Sequence, residues 1–90
     1  MRHITSNAMS RIPAETQILM WFMLDSMEED KDYLQILNLS IKDGNQIIRH
    51  HQEYPIWEEE VVLLTDSPVT EKVYIIVENG LETMMLAEDY

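Results

Sequence analysis

The segment Glu71-Lys72-Val73-Tyr74-Ile75-Ile76-Val77-Glu78-Asn79-Gly80-Leu81-Glu82-Thr83-Met84-Met85-Leu86-Ala87 reads as a β-hairpin. Val73, Ile75 and Val77 alternate along one side, the period of a half-buried strand. Asn79-Gly80 supplies two residues that tolerate positive φ, which the tight turns between antiparallel strands demand. Leu81 to Ala87 returns beside the first strand. Met84 and Met85 must then face opposite sides of the sheet, because strand neighbours alternate.

The same grammar repeats upstream. Tyr33 to Ile41 is rich in Leu and Ile, Asp43-Gly44 is a second tight-turn signal, and Asn45 to Glu53 is its return strand. Pro55 breaks that strand. Glu58 to Thr65 contains Val61-Val62-Leu63-Leu64, which reads as a buried strand run, and Asp66-Ser67-Pro68 is the turn after it. Arg2 to Thr5 is a candidate short edge strand. Ahead of the strands, Pro13 suits a first helical position, and nothing breaks a helix from Ala14 to about Glu29. The acids Glu28, Glu29, Asp30 and Asp32 oppose the macrodipole at that helix's end. One helix followed by about five strands with short turns predicts an α+β domain, a single helix packed on an antiparallel meander. The length of 90 residues predicts one domain over 1–90.

The helix carries an unusual surface. At 100° per residue, Thr16, Met20, Met23, Leu24 and Met27 form one stripe, with Leu19 beside it, and this is a core stripe. Ile18 and Trp21 fall on the opposite side near Asp25, with Phe22 at the margin. A helix that is apolar on two faces must bury both or present one to a partner. Aromatic anchors are enriched at interface hot spots; the competing reading buries Trp21 under the N-terminal segment or under Pro55-Ile56-Trp57. The seven methionines suit a plastic core or an adaptable surface.

Composition removes many functions. There is no cysteine, which excludes disulfides, thiolate metal sites and a Cys nucleophile. Two glycines exclude a dinucleotide fingerprint and a Walker loop. The longest apolar run, Ile18 to Leu24, is too short to span a membrane, and Met1-Arg2-His3-Ile4-Thr5 has no apolar signal region, so a cytoplasmic setting is expected. With 17 acids against 6 Lys and Arg, the net charge is −11. That disfavours direct contact with a nucleic-acid backbone or an anionic membrane. Residues 1–45 hold 7 acids and 4 bases, whereas residues 46–90 hold 10 acids and 2 bases. The strand-forming half therefore carries most of the field. Solubility is one reading of this charge, attraction to a basic protein a second, and imitation of a phosphate backbone a sharper form of the second.

His50-His51-Gln52-Glu53 is the most site-like group. On a strand, His51 and Glu53 share a face and could supply two metal ligands or the polar groups of a small hydrolase, while His50 points the other way. The competing reading is a solvated sheet surface. Glu58-Glu59-Glu60 is a charged strand start, and nothing marks a carboxylate pair with a raised pKa. No Ser sits in a Gly-x-Ser-x-Gly elbow. An enzyme is unsupported and no cofactor is expected.

An ordered set of residues also carries a resemblance. It comprises Arg2 with Ile4-Thr5, Ile12-Pro13, Gln17 with Trp21 and Asp25, and Asp32-Tyr33-Leu34-Gln35-Ile36. His51-Gln52-Glu53 with Pro55, Lys72-Val73-Tyr74-Ile75, Gly80, and the ending Thr83-Met84-Met85-Leu86-Ala87-Glu88-Asp89-Tyr90 complete it. In these the chain resembles a family of small Firmicutes and mobile-element proteins catalogued as domain of unknown function 960. His3, Ala8 and Glu78-Asn79 depart from the pattern. The resemblance implies a bounded domain, an intracellular setting and an association with prophage or mobile-element genes, and it carries no activity. It places Trp21 and Asp25, but not Phe22, in the family pattern.

The expected function is that of a small acidic, non-enzymatic protein–protein interaction module. It would bind a basic protein partner through Ile18, Trp21 and Asp25 or through the acidic sheet half at Glu58, Glu59 and Glu60. A phage-type inhibitor of a basic nucleic-acid-handling protein is its most concrete form. The alternatives are a metal-binding protein or small hydrolase using His51 and Glu53, and a structural homo-oligomer burying the second helix face.

Overall fold

The computed structural model describes residues Met1–Tyr90. It contains β1 (Arg2–Ile4), α1 (Ser6–Arg11), α2 (Ala14–Asp25), β2 (Leu34–Lys42), β3 (Asn45–Gln52), β4 (Trp57–Leu63), β5 (Glu71–Glu78), β6 (Leu81–Leu86) and a closing 3-10 turn, Ala87–Asp89. The α+β class stands, with two helices and six strands where one helix and about five strands are expected. The short N-terminal strand is present, and it pairs parallel with β6.

The meander does not hold. The six strands form one sheet in the order β1-β6-β5-β2-β3-β4. β2 pairs antiparallel with both β3 and β5, so the chain leaves β4 at one edge and crosses back to the middle. The physical reason lies in the strands themselves. Gln35, Ile36 and Leu37 of β2 are all buried, and so are Val73, Ile75 and Ile76 of β5. These strands are covered on both faces and belong in the centre. β4 carries three successive glutamates, whose charges would be desolvated between two neighbours, and it lies at the rim. Its Val61-Val62-Leu63-Leu64 run is correspondingly not buried: Val62 is 55% and Leu64 76% exposed.

Both tight turns form as their residues require. Asp43-Gly44 has φ of 53° and 79°, and Asn79-Gly80 has 47° and 80°. Paired positive φ values give a turn whose twist matches the strands it joins. The crossing back from β4 is pinned by Gln46, fully buried at the start of β3. Its Nε2 donates to the carbonyls of Ser40 and Val69 at 2.8 and 3.0 Å, and its Oε1 accepts from Val69 N–H at 2.8 Å.

The helices cover one face of the sheet. Ala8, Ile12, Met20, Met23, Leu24 and Met27 pack on Leu37, Leu39, Ile48, Val73, Ile75, Met84 and Leu86. The core stripe read from the sequence is the buried one, and Met84 is buried while Met85 is only partly so. Pro13 is the N-cap of α2 rather than its first helical residue. The helix stops at Asp25, four residues before the expected Glu29. Ser26 caps it, its Oγ donating to the Phe22 carbonyl at 2.7 Å. The acids that follow would oppose the macrodipole if the helix continued through them. No helix is long and apolar enough to cross a membrane.

Candidate functional site

Helix α2 presents its second apolar side as the sequence requires, but the residues divide differently. Ile18 is 68% and Phe22 64% exposed. They stand four apart on one helix and so lie side by side on its outer surface. Trp21 is half-buried and packs against the core. Arg2 reaches over it from β1, with its guanidinium carbon 4.6 Å from the ring centroid. The same guanidinium bonds Asp25 through Nη2 and Glu82 through Nε, the latter at 2.7 Å. The hydrogen bond to Asp25 raises the Arg2 pKa above its ordinary value; desolvation opposes it, and the pairing with Glu82 adds to the rise. Trp21 and Asp25 are therefore joined by a clasp that ties the first strand to the helix. Phe22, at the margin of the helical wheel, is the exposed aromatic of α2.

The glutamates lie on β4. Register places Glu58 opposite His51, Glu59 opposite His50 and Glu60 opposite Arg49. Glu58 and Glu60 thus share the sheet face away from the helices, and Glu59 takes the helix side. Arg49 grips Glu58 with two bonds, Nε to Oε2 at 3.0 Å and Nη2 to Oε1 at 3.2 Å. That fork raises the Arg49 pKa and holds the Glu58 carboxyl below its usual range. Glu59 and Glu60 are exposed.

His51 and Glu53 do not share a strand face, because β3 ends at Gln52 and Glu53 lies exposed in the turn after it. Asn38 Nδ2 donates to His51 Nε2 at 3.3 Å. Neither residue falls within a group of three His, Asp or Glu side chains arranged to hold a metal. An open cleft lies elsewhere, between the start of α2 and the β4–β5 connection, where Thr65 Oγ1 donates to Glu15.

One polar group escaped the sequence reading. His50 is fully buried on the helix side of the sheet, edge-on to Trp57 with ring centroids 4.7 Å apart. Gln35 Nε2 donates to the Asp32 carbonyl at 2.9 Å and to Gln52 Oε1 at 2.6 Å. Its Oε1 is then free to accept from His50 Nε2–H at 2.8 Å. The imidazole is neutral, and Nδ1 has no partner. Burial, aided by the neighbouring His51, pushes its pKa down to about 4. Gln52 Nε2 also donates to the carbonyls of Asp30 and Pro55, both at 2.9 Å. The cluster therefore ties the α2–β2 connection to the β3–β4 turn. The clue was the placement of Gln35, Gln46, His50 and Gln52 at every second strand position, in phase with core residues.

Comparison with known proteins agrees on fold and stops there. A solved structure described as a protein of unknown function from Enterococcus faecalis is similar to this chain, with a TM-score of 0.84 and 16% identity, covering 99% of this chain and 89% of that one. At that identity the likeness speaks for fold alone. No curated protein matches. The family model described as Staphylococcal protein of unknown function (DUF960) matches residues 1–89, so the chain belongs to that family.

Proposed function

We propose that this protein is a non-enzymatic interaction module that binds another protein through the outer side of α2. The observation that carries this reading is the exposure of Ile18 and Phe22, two large apolar side chains stacked on one helix surface. Solvent-exposed apolar pairs of this kind find their stabilisation in a partner. Glu28 and Glu29 follow the C-terminal end of the helix, and the whole chain carries −11. A partner with a basic rim around an apolar pocket fits that surface, and charge would speed the encounter. A basic nucleic-acid-handling protein, in a cytoplasmic setting, is a partner of this class.

The residues at the surface divide into two roles. Ile18 and Phe22 make contact, while Arg2, Trp21 and Asp25 fix the helix on which they stand. The test compares tagged wild-type chain with Ile18→Ser/Phe22→Ser as bait in lysate of the producing cell, after thermal melts establish that both fold. Recovery of a basic protein by wild type, weakened by the double substitution and by added salt, is the expected result. Equal recovery by both baits would refute the α2 surface.

A further inference from the structure

The sheet ends on β4, and its outer edge is bare. β4 pairs only with β3, from Gln46 opposite Leu63 to Gln52 opposite Trp57. No loop backbone group or side chain in the rest of the chain bonds the row of N–H and C=O groups on its far side. Seven residues is an ordinary strand length and enough to template another strand. The opposite edge, β1, has three. Beside the bare row stand exposed apolar side chains, Val62 within the strand and Ile56 and Leu64 flanking it. The strand's charged side chains are Glu58, Glu59 and Glu60. Arg49 occupies Glu58 alone, so Glu59 and Glu60 carry charge without an ion-pair partner.

We propose that the β4 edge accepts, as an added strand, an extended basic segment of another protein, one that alternates Lys or Arg with β-branched apolar residues. This rests on the reading of the chain as an interaction module and adds a second surface, a binding mode and a partner chemistry. Main-chain hydrogen bonds along the edge supply affinity, and the side chains supply selection. The carboxylates determine the occupant. Two copies of this chain joined edge to edge would bring six glutamates into a few residues of ladder, on molecules that each carry −11, and like charges set opposite one another oppose pairing. The glutamates thus guard the edge against self-association and admit a strand of opposite charge. Val61 and Leu63, half-buried on the face opposite Glu58 and Glu60, offer the apolar positions of such a strand a dry contact.

The experiment titrates the full-length 15N-labelled chain with a ten-residue peptide of alternating Lys and Val. Shifts concentrated in residues 57–63 are expected. The same peptide methylated at alternate backbone nitrogens should bind at least about tenfold more weakly, since each methyl removes a main-chain donor. Glu60→Gln leaves the Arg49–Glu58 pair in place and should weaken binding about threefold, the scale of one exposed charge contact. Equal binding of the methylated peptide, or shifts spread over the acidic surface, would overturn strand addition in favour of plain charge attraction. Absence of peptide binding while the α2-dependent partner is still recovered overturns the edge proposal alone. Loss of both overturns the interaction reading as well.

Discussion

At the residue scale, His50 and Arg2 each join parts of the chain that are distant in sequence. Protonating His50 would place a charge in the core beside Trp57, with Gln35 and Gln52 already committed. Its folded pKa is depressed to about 4 from 6.5, so the unfolded chain takes up the proton first as pH falls. The stabilisation is therefore full above about pH 6.5 and is lost between there and about pH 4. Complete traversal of that window is worth about 3 kcal/mol. Urea midpoints measured from pH 7.5 to 4 should fall for the wild type, and the slope should flatten in His50→Phe. Glu58, held low by Arg49, adds a loss of the same sign at lower pH. The Arg2 clasp makes a different prediction. Arg2→Ala removes two exposed ion pairs and one cation–π contact and should lower stability by about 1 kcal/mol, read as a drop in thermal midpoint. Exchange at the β1 amides should rise with it.

At the element scale, the fold follows from which strands can be covered twice. Leu37 lies on the central strand and is fully buried, whereas Leu64 is 76% exposed. Leu37→Ala should cost about 3 kcal/mol, and Leu64→Ala should stay within about 0.5 kcal/mol; chemical denaturation of both variants checks the contrast. Strand identities and both tight turns were legible from Asp43-Gly44 and Asn79-Gly80, because positive φ is a local demand that few residues meet. The strand order was not legible. It depends on comparing β4 with β2 and β5 as candidates for the centre, which requires weighing Glu58–Glu60 against Ile36 and Ile76. The α2 core stripe was legible because burial follows helical period. The roles within the second stripe were not, since Trp21 is capped by Arg2 from a strand whose position only tertiary structure supplies. His50 was legible only as a residue pointing away from His51.

At the scale of the whole molecule, charge and apolar exposure occur together at two places, the outer side of α2 and the β4 edge. The −11 charge read from composition gains structure there. Part of it is neutralised in the Arg2 and Arg49 pairs, while Glu59 and Glu60 remain open to a partner. Self-repulsion among the remaining acids opposes association between copies, and under the proposed function both surfaces are offered to a protein of opposite charge. The most direct measurement of this account is photo-crosslinking in the producing cell, with a photoreactive residue placed singly at position 18, 22, 42 or 78. The account predicts one discrete adduct with a basic protein from positions 18 and 22 and none from the exposed control positions Lys42 and Glu78. Adducts of equal yield from all four positions, or adducts of this chain with itself, would contradict it.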